Sequence, residues 1–348
     1  PDRPTQMPFA PTEENVPRLE SFLRQKFASS TFNKDGAPLP EMNGPPHTIH
    51  LTADAVPHAR HSPIPISKHW EAEVKAQLDE DERMGIIEKV PTGEPTVWCA
   101  QMAVVPKQNG KPRRTIDYQE LNKYCVRETH HTRVPFDMVS SVPQHAYKTT
   151  LDAFWGFHQV PLAVESRPLT TFITPWGRYR YLRTPMGHVS ASDAYTRRYD
   201  DAVIDVKRKF KCVDDVLLYD SSVEQAFWHC WDYLETCGKA GVTLSPDKFR
   251  FCRREVEFVG FNLGWSSYAP ATGRLAAISH FPMPEKPTIT DIRSFAGLVN
   301  QVAPFMATAP IMEPFRALLK DSQSKYVYWD ELLKKKFEEV KSAVCQLI

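Results

Sequence analysis

The chain has 348 residues, enough for two or three packed units rather than one. Hydrophobic residues make up 42%, which permits sizeable cores, and 43 Lys and Arg against 42 Asp and Glu leave a formal net charge of +1. That balance does not exclude nucleic-acid binding, because a local basic groove and an acidic metal cluster cancel in the sum. No apolar stretch approaches the ~18 residues that a membrane span requires, and no signal peptide stands at the start. The seven cysteines (Cys99, Cys125, Cys212, Cys230, Cys237, Cys252 and Cys345) are scattered, odd in number and without a CxxC pair. They read as reduced thiols of a cytosolic or nuclear setting, not as a disulfide frame or a zinc site. The chain begins at Pro1, as a fragment or a processed piece of a polyprotein would.

Residues 1–66 are rich in Pro and read as extended chain and turns, a linker packed along a domain surface. A helix is expected next, with Ser67 near its N-cap, Trp70, Val74, Leu78 and Met84 on its apolar stripe and Gly85 as its stop. The run MAVVPKQNGKPRRTIDY predicts a hairpin with a tight type I′ turn at Asn109-Gly110. Lys107, Lys111, Arg113 and Arg114 flank that turn. TTLDAFWGFHQVPL begins as a strand, and SASDAYTRRYDDAVIDVKRKF is helical. KFKCVDDVLLYD predicts a second hairpin, and EFVGFNLG reads as a further strand. After about residue 267 three amphipathic helices follow, beginning at ITDIRSF, PIMEPF and DELLKKK. These elements alone define a soluble α+β protein.

The acids carry the chemistry. Asp152 lies in a strand-like apolar context, and Asp214 and Asp215 lie at the tip of an apolar hairpin. An Asp-Asp pair by itself marks an ordinary exposed turn, but the flanks KFKCV and VLLY argue for a buried hairpin that presents both acids at one edge. Clustered like charges repel unless a cation neutralises them, and hard divalent ions prefer carboxylate oxygen. Three carboxylates from two adjacent strands suit two Mg²⁺ ions, with Mn²⁺ as a substitute, and so nucleotidyl transfer.

Seven blocks in order give a resemblance: VVPKQNGKPRRTIDYQELNK, TTLDAFWGFHQVPL, GRYRYLRTPMGHVSASDAYTRR, KCVDDVLLYD, GVTLSPDKFRFC, VEFVGFNLG and ITDIRSFAGLVNQVAPFM. From about residue 70 to its end, the chain resembles the reverse transcriptases of gypsy-type (metavirus) LTR retrotransposons and, more distantly, of retroviruses. The resemblance implies a right-hand polymerase with an antiparallel palm sheet and a helical thumb. Fingers are expected at 67–125 and 160–195, palm at 126–159 and 196–266, and thumb at 267–348, after an N-terminal extension over 1–66. It implies that Asp152, Asp214 and Asp215 are the catalytic metal ligands, joined by the Ala153 carbonyl. Lys107 and Arg113 match residues that grip the incoming triphosphate, and Met186 and Gly187 match a segment beside the nascent base pair. Phe157 matches an aromatic gate that leaves no room for a 2′-hydroxyl. Lys248 matches a general acid for departing pyrophosphate, and Phe258, Val259 and Gly260 match the primer grip. The implied partners are an RNA template, a DNA or RNA primer (a tRNA in such elements), the RNA–DNA hybrid and dNTPs, in a cytoplasmic retroelement particle, as a monomer or a dimer.

The chain departs from the family pattern at three places. Cys212 stands where Tyr or Phe precedes x-Asp-Asp, HVSASDAY replaces a Leu-x-Asn-Ala-Pro pattern, and Trp155 stands where small or polar residues are common. No ribonuclease H cluster follows SAVCQLI, so this chain alone is expected to copy RNA without degrading it. Two other readings remain beside the polymerase: a catalytically silent nucleic-acid-binding subunit, and an RNA-synthesising polymerase, which Phe157 argues against.

Overall fold

Residues 1–36, 38–320 and 324–347 are described by the computed structural model. In chain order its elements are helices α1 (Val16–Lys26) and α2 (Lys68–Arg83), strands β1 (Ile87–Lys89), β2 (Ala100–Pro106) and β3 (Pro112–Ile116), and short helices α3 (Gln119–Asn122) and α4 (Pro135–Ser140). Next come β4 (Tyr147–Asp152), β5 (Phe172–Thr174), β6 (Gly177–Tyr181), α5 (Ala191–Ala202), β7 (Lys209–Cys212), β8 (Asp215–Asp220) and α6 (Val223–Ala240). The chain ends with β9 (Arg250–Arg253), β10 (Val256–Phe258), β11 (Phe261–Leu263), β12 (Tyr268–Pro270) and helices α7 (Thr272–Ser279), α8 (Ile289–Asn300), α9 (Ala309–Lys320) and α10 (Glu331–Cys345). They form two units: Pro1–Thr132 with Lys148–Cys252, and Arg133–Tyr147 with Arg253–Ile348. No helix among the described residues is long and apolar enough to cross a membrane.

In the first unit, α2 forms where its apolar stripe predicts. Val74 and Leu78 lie one turn apart and are fully buried, and Gly85 ends the segment at φ 76°. They pack with Ile86, Met102, Leu162, Phe172 and Tyr179 over a five-stranded sheet of order β1-β6-β5-β2-β3. Its pairs are antiparallel except β2–β5, which runs parallel from Ala100↔Phe172 to Gln101↔Ile173.

The β2–β3 hairpin exists, but its turn differs from the expected two-residue type I′. Lys107 N–H donates to the Lys111 carbonyl (2.8 Å) and Gly110 N–H to the Lys107 carbonyl (2.9 Å), which closes a three-residue loop, Gln108–Gly110. Gly110 takes the left-handed conformation at φ 77°, and Asn109 stays on the negative side. A type I turn followed by a left-handed glycine uses the same dipeptide with one more loop residue. Register Val105↔Arg113 then places Lys107, Lys111 and Arg113 on the exposed face, while Met102 and Pro112 face inward.

The second sheet of this unit has order β7-β8-β4-β9, with α6 against β8. Helix α6 is well capped: the Ser222 hydroxyl accepts from Gln225 N–H (3.1 Å), and Gly241 closes the C-terminus at φ 77°. Phe227, Trp231 and Leu234 on its apolar face are fully buried. The segment read as an extended linker contributes to this core. Leu19, Leu23 and Phe27, spaced by four, are fully buried on or just after α1, and Phe27 meets Trp231 edge-on at 4.7 Å. Further along, His47, Leu51 and Ala59 form single bridges to Leu162, Cys125 and Cys99, so this stretch is the extended chain the Pro content predicts.

In the second unit, EFVGFNLG is not one strand. Phe258 and Phe261 oppose each other across β10–β11, and Val259 (φ 46°) and Gly260 (φ 82°) make the turn. Two positive φ values in a two-residue loop are the type I′ signature. The helical end forms as expected. Ile292, Phe295 and Val299 of α8 pack with Met312 and Phe315 of α9 and Phe337, Val340 and Val344 of α10. Thr288 and Asp291 form a reciprocal capping box at the start of α8.

Because Leu23 is fully buried, Leu23→Ala should cost about 2–5 kcal/mol of stability by urea unfolding. A loss below about 0.5 kcal/mol would make α1 a dispensable arm.

Candidate active site

Register Cys212↔Asp215 leaves Val213 and Asp214 as the two-residue turn of the β7–β8 hairpin. Val216, Leu217 and Leu218 are fully buried and anchor the outgoing strand. Val213 sits at φ 55°, a left-handed conformation that costs a β-branched residue roughly 1–3 kcal/mol. A buried lysine holds it there. Lys211 Nζ donates to the Val213 carbonyl (2.8 Å), pairs with Asp200 of α5 (2.7 Å) and lies 4.5 Å over the Tyr199 ring. Its side chain is only 4% exposed.

The tip is also tied to the end of β4. Ala153 N–H donates to the Asp214 carbonyl (3.2 Å), and Ser245 N–H donates to the Asp152 carbonyl (2.8 Å). Asp152, Asp214 and Asp215 are thereby brought together, and their electrostatics show it. Burial, then Asp152 and Asp214, push the Asp215 carboxyl up to about 6. Burial also raises Asp214, with Asp152 adding to the rise and the Tyr195 hydroxyl opposing it. Lys248 Nζ sits on Asp152 Oδ2 at 2.7 Å, although its side chain is 67% exposed, and that bond raises the lysine pKa.

The cluster fits a hard divalent cation in donor type and in charge. Its donors are carboxylate oxygens, and Asp214 Oδ1 is buried without a hydrogen-bond partner. No three His, Cys, Asp or Glu side chains among the described residues already enclose an ion position.

Beside the acids, Gly156 allows a close approach. A Cβ there would lie 2.6 Å from Tyr195 Cζ and 2.7 Å from Asp214 Oδ1. The Phe157 ring meets the Tyr195 ring edge-on at 5.7 Å, so the expected gate is braced by α5. Trp155 is left-handed at φ 48°, and the Phe154 and Trp155 rings stack at 4.8 Å. Met186 is 54% exposed, and Gly187 turns at φ 86°. Asn122 pins that turn, donating to the Gly187 carbonyl (2.7 Å) and accepting from Val189 N–H (3.1 Å). Neither Lys107 nor Arg113 forms an ion pair with the carboxylates among the described residues, whereas neighbouring Arg114 is locked to Asp81 at 2.6 Å.

The Phe258–Gly260 turn belongs to the second unit. Arg274 donates to the Val259 carbonyl (3.1 Å), and a Cβ on Gly260 would run into the Arg274 guanidinium. The Phe258 ring is 3% exposed, so it is core, and the turn's backbone is what this segment can offer to a ligand.

The sequence reading missed Gly156, Tyr195 and Lys211. Gly156 was readable in its block, because a glycine between two aromatics implies a close approach. Lys211 was not, because a lysine in KFKC looks like a solvated strand position.

Residues 105–263 match the family model described as reverse transcriptase (RNA-dependent DNA polymerase). The chain therefore carries a reverse transcriptase domain, and its similarities point to the gypsy-type LTR retrotransposon kind. It is 27% identical over 318 residues to the Pol polyprotein from transposon 297 of Drosophila melanogaster, which covers 88% of this chain and 29% of that one. It is 27% identical over 308 residues to the Pol polyprotein from transposon gypsy of the same fly, covering 86% and 29%. The enzymatic polyprotein of Cauliflower mosaic virus (strain D/H) is 29% identical over 222 residues, covering 62% and 32%. The chain thus spans about a third of the length of these curated relatives. Among solved structures, a foamy viral protease-reverse transcriptase in complex with dsDNA matches with TM-score 0.80 at 20% identity, covering 96% of this chain and 68% of that one. The fold is that of the right-hand polymerases.

The raised Asp215 carboxyl sets a pH dependence. A carboxylate whose folded pKa lies above its unfolded value stabilises the fold while protonated and loses that contribution as pH rises through about 6. Asp215→Asn should therefore raise thermal stability at about pH 7.5, by on the order of 1–2 kcal/mol after allowing for solvent screening, and change little at about pH 4. Equal melting of variant and native protein at both pH values would contradict the crowded-carboxylate reading.

Proposed function

We propose that the chain is the polymerase portion of a retroelement reverse transcriptase, extending a primer 3′-hydroxyl with dNTPs on an RNA or DNA template. The observation that carries this is the convergence of Asp152, Asp214 and Asp215 at a strained hairpin tip within a reverse transcriptase domain. Two Mg²⁺ ions, or Mn²⁺ in their place, would be held by these carboxylates and the Ala153 carbonyl, and would supply charge neutralisation and Lewis acidity.

The chain's own residues do the rest. Lys107 and Arg113, on the exposed face of the β2–β3 hairpin, take the triphosphate, with the forked guanidinium suited to phosphate oxygens. Met186 and Gly187 lie against the new base pair on a turn that Asn122 holds. The Phe157 ring, braced by Tyr195, lies under the sugar and excludes a 2′-hydroxyl. Lys248, already at hydrogen-bond distance from Asp152, carries the proton that departing pyrophosphate needs. The Val259–Gly260 backbone, stiffened by Arg274, fixes the primer end, and positioning of that kind lowers barriers by up to about 7–11 kcal/mol.

In this reading, 67–125 and 160–195 serve as fingers, 126–159 and 196–266 as palm and 267–348 as thumb, after the 1–66 extension. The partners are an RNA template, a DNA or RNA primer such as a tRNA, and their hybrid. The setting is a cytoplasmic retroelement particle.

The test is primer extension on an RNA template with a DNA primer, dNTPs and Mg²⁺. Native protein should extend, Asp214→Asn should not, and Phe157→Val should also incorporate ribonucleotides. Intact hybrid binding without extension by the native protein would favour the silent nucleic-acid-binding subunit. Unchanged ribonucleotide exclusion by Phe157→Val would remove the gate assignment.

A further inference from the structure

Away from the carboxylate cluster, the first unit holds a recess of about 260 Å³ whose wall is rich in unpaired polar nitrogens. Four side-chain nitrogens on that wall are buried without a hydrogen-bond partner: His47 Nε2, His188 Nδ1 and Nε2, and Arg198 Nη1. His188 is 5% exposed and His47 8%, with their ring centroids 5.8 Å apart. His47 is fixed by its bridge to Leu162, His188 by the turn after Gly187, and Arg197 and Arg198 by the second half of α5.

The wall carries more cations than acids. Its one acid, Glu128, pairs with Arg197. Among the described residues, Arg198 hydrogen-bonds only to the Pro45 carbonyl, through Nη2. Burial, then Arg197, lower the Arg198 pKa, and burial, then Arg198, lower that of His47. Burial, then His47, push His188 down to about 4. In all three, burial is the first cause, and a neighbouring basic group adds to it. Water can satisfy a donor, but it does not neutralise a half-buried guanidinium.

A metal cation is disfavoured here, because two arginines repel it. A tetrahedral oxyanion answers both deficits at once: it accepts from several N–H groups and brings negative charge, and a guanidinium fork matches its oxygen spacing. We propose that this recess is a second ligand site, one that binds a phosphate-class oxyanion through Arg198, Arg197, His47 and His188. The phosphate comes either from a free anion, such as inorganic phosphate, or from the backbone of a nucleic-acid strand crossing the recess. The site shares no lining residue with the carboxylate cluster, so it does not depend on polymerase activity.

The experiment is a titration of the full chain, its 12 histidines ring-labelled, with inorganic phosphate, followed by NMR. The His47 and His188 resonances should move saturably, and those of His58 and His61 should not. Arg198→Gln should weaken the binding about ten-fold or more, in line with loss of one charged hydrogen bond. His188→Gln, followed through His47, gives a second reading if Arg198→Gln melts early. No saturable shift in native protein, or equal affinity in an Arg198→Gln chain that melts like the native one, would overturn the site. A short single-stranded oligodeoxynucleotide then separates the sources. If it displaces phosphate, and Arg198→Gln lowers the salt slope of its binding by about one phosphate contact, the ligand is a nucleic-acid backbone. If phosphate stays bound beside it, the ligand is the free anion.

Discussion

Three carboxylates held together against their own repulsion are the constraint around which the first unit is built. Asp214 in the turn and Asp215 at the start of β8 stay in place because Val216–Leu218 bury the outgoing strand and Lys211 clamps the turn. The clamp carries a cost. It holds Val213 in a left-handed conformation and buries a lysine that needs both Asp200 and the Tyr199 ring around it. Helix α5 thereby serves the site twice, through Asp200 and Tyr199 under the turn and through Tyr195 between Phe157 and Asp214. Gly156 completes the arrangement, since any side chain there would occupy the space where Tyr195 and Asp214 approach each other.

Much of this was legible in the sequence where a residue's chemistry conflicts with its surroundings. Two adjacent acids inside KFKCV…VLLY stand out because an apolar hairpin has no reason to carry them. The α2 stripe, the C-terminal amphipathic helices and the basic hairpin follow from periodicity and from Asn-Gly. What stayed hidden depends on backbone conformations that the residue types disguise. Val213 and Val259 are β-formers by propensity, yet both take positive φ, so the second hairpin was expected with its tip one residue late, at Asp214-Asp215, and the Val259 turn was not expected at all. EFVGFNLG reads as one strand for that reason. Helix α1 was masked differently: Pro-rich flanks conceal the four-residue spacing of Leu19, Leu23 and Phe27, which is decisive once seen.

The net charge of +1 conceals three separate electrostatic environments. The exposed face of the β2–β3 hairpin offers Lys107 and Arg113 without ion pairs among the described residues. The hairpin tip concentrates negative charge, with Lys248 on Asp152. The recess beside α5 carries more positive than negative charge, with Arg197 and Arg198 against Glu128, next to the neutral rings of His47 and His188. Each is locally unbalanced, and each imbalance matches a ligand of opposite charge, which is how a near-neutral protein can be built to handle phosphates and cations together.

The most direct test of the central claim is to count bound Mn²⁺ by electron paramagnetic resonance. The protein would hold a template–primer whose 3′-end is dideoxy-terminated, together with the matching dNTP, so that no chemistry occurs. The account predicts saturable Mn²⁺ binding by the native chain and its loss in Asp214→Asn, with the duplex still bound. Equal Mn²⁺ binding by the two proteins would contradict the assignment of the aspartate cluster as the catalytic cation site.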